Sequence, residues 1–126
     1  MIEKGISAPP KFKEQSVKPG PLARYLVEID TWLNALRDVF ASIRTYSAAI
    51  DPTSVSANTT SEQTFTVNGL STTDIVFANK PTHQTGLALV GCRVSAKNTL
   101  ALTFMNTTAV GIDPTSETYT IVAVRK

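Results

Sequence analysis

The stretch PLARYLVEIDTWLNALRDVFASIRTYSAAIDP, residues 21–52, sets how the chain is read. Its apolar residues run Leu22, Leu26, Ile29, Leu33, Leu36, Phe40 and Ile43. The alternating steps of four and three define a heptad with Leu26, Leu33 and Phe40 at one core position. Pro21 suits a first helical turn, where its missing N–H would go unpaired anyway, and Pro52 disfavours helical geometry at Asp51. The spacing therefore predicts an amphipathic helix over residues 21–50, about 40 Å long at ~1.5 Å per residue. Tyr25, Trp32 and Val39 widen the apolar stripe beyond a two-stranded seam. A face this wide fits either a helix lying on its own domain or a bundle of three or more chains. The Leu/Phe-then-Ile order at Leu26–Ile29 and Phe40–Ile43 favours the bundle, although Ser47 breaks the core row. The expected oligomer interface is Leu22, Leu26, Ile29, Trp32, Leu33, Leu36, Phe40 and Ile43.

After this segment the chain changes character. Threonine fills 16 of the 76 residues from 51 to 126, and apolar residues alternate with polar ones. β-Branched residues at period two indicate half-exposed strands, expected near Ser54–Ala57, Gln63–Val67, Asp74–Asn79, Gly86–Ser95, Thr99–Asn106 and Glu117–Val124. Asn68-Gly69, Asn79-Lys80-Pro81, Ala96-Lys97-Asn98 and Asp113-Pro114 supply the turn chemistry between them. Val94 to Leu100 reads as a hairpin. A β-unit of this size, with Cys92 as the one cysteine and hence no internal disulfide, needs additional support. Association is the ordinary source. The fold expected is α+β, with an extended arm over 1–20, the helix over 21–50 in a trimeric bundle, and an antiparallel β-sandwich over 51–126.

Residues 1–20 carry Pro9, Pro10, Pro19 and Gly20 without apolar periodicity, as an extended arm would. They lack the apolar run of a secretory leader, so folding in a cytoplasm is expected. Residues 1–50 hold seven basic and five acidic groups, and the rest of the chain holds five of each. A net charge of +2 is too sparse for a nucleic-acid footprint. The lack of any long apolar run argues against a membrane span.

Nothing in the sequence assembles a catalytic constellation. His83, the sole histidine, falls in the Thr82–Thr85 connection with no serine or cysteine arranged around it. Cys92 alternates with Val90 and Val94 and reads as a buried small apolar residue. A glycosidase-like pair drawn from Glu62, Asp74, Asp113 and Glu117 is the remaining enzymatic option, and no spacing singles out any two. No catalytic residue, cofactor or metal site is expected.

From residue 60 onward several pieces occur in a familiar order: Thr64-Phe65-Thr66-Val67-Asn68-Gly69-Leu70, Asp74 to Pro81, Gly86-Leu87, Arg93-Val94-Ser95-Ala96-Lys97-Asn98-Thr99-Leu100, Phe104, Asn106-Thr107-Thr108, then Pro114 with Glu117 to Arg125. This order resembles a β-domain of tailed-bacteriophage virion proteins. The resemblance spans residues 60–126, while the arm and helix match in layout alone. Closest in layout are head decoration, or cement, proteins, in which an arm or helix precedes a small β-sandwich and three copies stand on the capsid. The resemblance implies a non-enzymatic homotrimer that binds the major capsid protein on the outer surface of the virion and stabilises the head. The alternative is a head-fibre or tail-associated adaptor whose β-domain binds host glycan or protein.

Overall fold

The computed structural model describes residues 19–125, so the expected arm lies outside them except for Pro19 and Gly20. The chain divides between Ser42 and Ile43 into two compact units.

The first unit contains one helix, α1, over Pro19–Ala41. Pro21 sits in its first turn, as its missing N–H allows. Ser42 closes the other end: its backbone N–H and its hydroxyl both donate to Val39 O, at 3.1 and 2.6 Å. The helix is thus 23 residues long and does not reach Ile50. Residues 43–50 form a strand instead, and the described residues are mostly β with one helix, which overturns the α+β reading and its long-helix trimeric bundle. The physical reason lies in Ile43-Arg44-Thr45-Tyr46-Ser47-Ala48-Ala49-Ile50. Ile43 falls on the heptad, yet Tyr46, Ala48 and Ile50 also recur at period two. Pairing with a distant strand supplies the burial that selects the second period. Asp51-Pro52 is a genuine stop signal, but it ends a strand.

The second unit holds six strands: β1 (Ile43–Ile50), β2 (Thr59–Thr66), β3 (Asp74–Asn79), β4 (Leu87–Ala96), β5 (Thr99–Asn106) and β6 (Glu117–Arg125). They form two antiparallel sheets, ordered β1-β6-β3 and β2-β5-β4. β6 and β5 are the central strands, and their inward residues are the most buried. Tyr119, Ile121 and Ala123 on one side meet Leu100, Leu102 and Phe104 on the other within a single core. Ile50, Val76, Leu87 and Val94 complete it from the flanking strands. The expected strand at Ser54–Ala57 is absent; Val55 makes one bridge to Ile112 and plugs the core instead.

The turns are fixed by side chains. Asn98 takes φ +61 in the β4–β5 hairpin, a left-handed conformation that asparagine tolerates better than most residues. Its Oδ1 accepts the Gly69 N–H at 2.8 Å, and its N–H donates to Leu70 O at 3.0 Å. That joins the hairpin to the β2–β3 connection. Buried Asn106 does the same at the opposite end, donating to Val55 O and Val110 O and accepting the Thr108 N–H.

Candidate functional site

The carboxylates weighed as catalytic groups are each placed by strand register. Asp74 opens β3 opposite Arg125 of β6, and its side chain is 1% exposed. It accepts from Arg125 Nε at 2.8 Å, from Arg125 Nη2 at 3.0 Å and from the Ser71 N–H at 2.9 Å. The Arg125 hydrogen bonds hold it below the usual aspartate range despite its burial. Glu117 opens β6 at the far end of the same sheet. It accepts from Lys80 Nζ at 2.9 Å and from the Thr82 hydroxyl at 2.7 Å, and Lys80 in particular lowers its pKa.

Glu62 on β2 reaches Arg93 on β4 across the small residues of β5, in a two-point contact of 2.7 and 2.9 Å. The Arg93 hydrogen bonds lower its pKa as well. Three of the four carboxylates are therefore ionised members of cross-strand ion pairs. A general acid needs the opposite shift. Asp113 contributes its backbone carbonyl, which accepts from Gln84 Nε2 at 3.0 Å. Asp74, paired with Arg125, and Glu117 thus lie at opposite ends of β6, and Glu62 lies on the other sheet.

His83 is exposed in the β3–β4 connection. Cys92 faces the core from β4, and burial pushes its thiol up to about 11, so it is protonated at neutral pH and a poor nucleophile. A shallow open groove of about 540 Å³ lies beside Asn58, Thr59, Thr60, Met105, Asn106 and Thr107. Its one buried polar side chain, Asn106, is committed to Val110 O in the following loop and to Val55 O in the β1–β2 connection. Among the described residues no cluster of three potential metal ligands occurs, and no helix is long and apolar enough to cross a membrane.

The surfaces are more informative. In antiparallel sheets directly paired residues share a face, so the register of β1, β6 and β3 lists what each side presents. Tyr119, Ile121 and Ala123 face inward, which puts Thr118, Thr120, Val122 and Val124 outside. Ile43, Val124 and Ile75 then form one outer row; Thr45, Val122 and Phe77 form the next; Ser47, Thr120 and Asn79 form the third. Ile43, Ile75 and Phe77 are 41%, 45% and 64% exposed. The outward positions from Ile43 to Ala49, Ile75 to Asn79 and Thr118 to Val124 include no charged residue. The opposite outer face, on the β2-β5-β4 sheet, carries Glu62 and Arg93.

Of the residues expected at an oligomer interface, seven lie on α1 and Ile43 lies on β1. Leu22, Leu26, Leu33 and Phe40 are exposed, whereas Ile29, Trp32 and Leu36 are half-buried. The outer face of β1-β6-β3 was not singled out from the sequence. Its signal was there, in the Ile75/Phe77 and Val122/Val124 alternations, whose outward members are as apolar as their inward ones. Compared with known protein families, curated proteins and solved structures, the chain finds no match.

Proposed function

We propose that this chain is a non-catalytic structural protein of a bacteriophage virion, a head decoration protein that binds the major capsid protein on the outer capsid surface as a homotrimer. The observation that carries the reading is where its apolar groups lie. Three carboxylates of the β-unit are held in ion pairs, Glu117 with Lys80, Glu62 with Arg93 and Asp74 with Arg125, while an uncharged sheet face and apolar side chains of α1 lie exposed. Such surfaces serve association. The order of turn and strand pieces from residue 60 onward supports the phage context, and the likeness in layout to decoration proteins, with an arm expected over residues 1–20, supports the three-copy stoichiometry. Several weak contacts made at once by one oligomer raise its attachment through effective concentration, which suits a protein that bridges capsomers.

The test is co-sedimentation of purified protein with capsids that lack it, together with the heat resistance of those capsids. Saturable retention and a raised disruption temperature are expected. A chain without residues 1–20 should stay folded and be retained less. Failure of the full chain to sediment with capsids at any concentration would remove the proposal.

A further inference from the structure

We infer that the outer face of the β1-β6-β3 sheet is a contact surface between copies of this chain, centred on Phe77 and Val122. The inference rests on the homo-oligomer reading above and assigns the association to the β-unit. An isolated exposed apolar side chain is ordinary on a protein surface. Here Ile43, Val124 and Ile75 lie side by side across three strands, and Val122 and Phe77 lie in the adjoining row. Phe77, the most exposed of them at 64%, sits on the strand at the sheet's margin. An antiparallel sheet with one face left to solvent usually alternates polar residues outside with apolar ones inside. The outward rows of this sheet are apolar and uncharged at Ile43, Val124, Ile75, Val122 and Phe77, although the other sheet of the same unit has both signs of charge on its exterior.

The absence of charge also selects the occupant. An acidic or basic partner finds no countercharge on this face. A second copy of it meets no like-charge repulsion in any relative orientation, which is the condition a self-matching surface must satisfy. Beside the apolar rows, the hydroxyls of Thr45 and Thr120 provide groups that both donate and accept, so they too can pair with their own kind. Three strands about 4.8 Å apart, of 8, 9 and 6 residues at ~3.4 Å each, span roughly 14 Å across and about 20–30 Å along. That is below the ~800 Å² per partner of a standard lasting interface. Association through this face alone is therefore reversible and rises with concentration.

The experiment is sedimentation velocity of the full chain over a wide range of concentration. It compares the parent with Phe77→Asp, Phe77→Ser and, on the opposite outer face, Thr64→Asp. Circular dichroism and the melting midpoint report whether each variant is folded. The parent and Thr64→Asp should associate alike, and Phe77→Asp should weaken association by about tenfold or more. If the aspartate variant fails to fold, the serine variant, which only removes the ring, must show the weakening. A parent that is monomeric at every concentration overturns the inference, as does a folded Phe77 variant that associates like the parent. Self-association that depends on Phe77 in a chain that ignores capsids would keep this inference and remove the decoration role. Capsid binding with Phe77-independent association would do the reverse.

Discussion

Tyr119 fills the core from the centre of β6, fully buried, with a hydroxyl that has no hydrogen-bond partner among the described residues. A buried unsatisfied hydroxyl costs about 1–3 kcal/mol. Tyr119→Phe keeps the ring and removes that cost, so it should raise the unfolding free energy by about 1 kcal/mol in urea titrations. A loss of stability would show that the hydroxyl has a partner. The same group sets an alkaline limit: burial, with Glu117 nearby, pushes its pKa up to about 12 from an ordinary 10. The folded state keeps a proton that the unfolded chain gives up, so this contribution is intact below pH ~10 and is lost as pH rises towards ~12. In Tyr119→Phe that part of the alkaline decline should disappear. Neither property was legible in the sequence, where Tyr119 is one aromatic in an alternating run. Asp74 was equally opaque: its partner Arg125 lies 51 positions away, and only the β3–β6 register brings them face to face.

Five of the six strands were foreseeable at the level of elements, because β-branched runs bounded by Asn-Gly, Asn-Lys-Pro and Lys-Asn turns admit few other readings. The hairpin through Asn98 formed where its turn residues are, and the stop at Asp51-Pro52 was real. The error came at Ile43-Arg44-Thr45-Tyr46, where Ile43 continues a heptad and also begins an alternation. Local sequence could not settle this, since the deciding contacts come from β6, more than 70 residues later. The misreading carried Ile43 into the helix and hid an outer row that also needs Val124 and Ile75. Because the division falls between Ser42 and Ile43, a chain beginning at Ile43 should fold without α1. It should show strand-type circular dichroism and one cooperative melting transition. A fragment that stays disordered would make the helix part of the β-fold.

For the whole molecule, association through a face without charges has a recognisable solution signature. Raising sodium chloride should leave it nearly unchanged, because screening acts on charges. Sulfate should strengthen it by favouring apolar burial. Self-association that collapses in moderate salt would instead trace it to the ionic groups. The other margin of the β-unit has a different character. β2 is bonded on one side only, to β5, and Gln63 projects from it to meet Thr53, accepting the Thr53 N–H at 2.7 Å and donating to Thr53 O at 2.9 Å. The side-chain amide makes the same two-way exchange that a neighbouring backbone would make, and so holds the residues after β1 beside an edge strand. The expected consequence is a latch against fibre growth, one that keeps the threonine-rich border from recruiting the border of a neighbour. A Gln63→Ala chain should fold at first and then, on prolonged incubation at high concentration, yield thioflavin-positive aggregates sooner than the parent, since what it has lost is less stability than privacy.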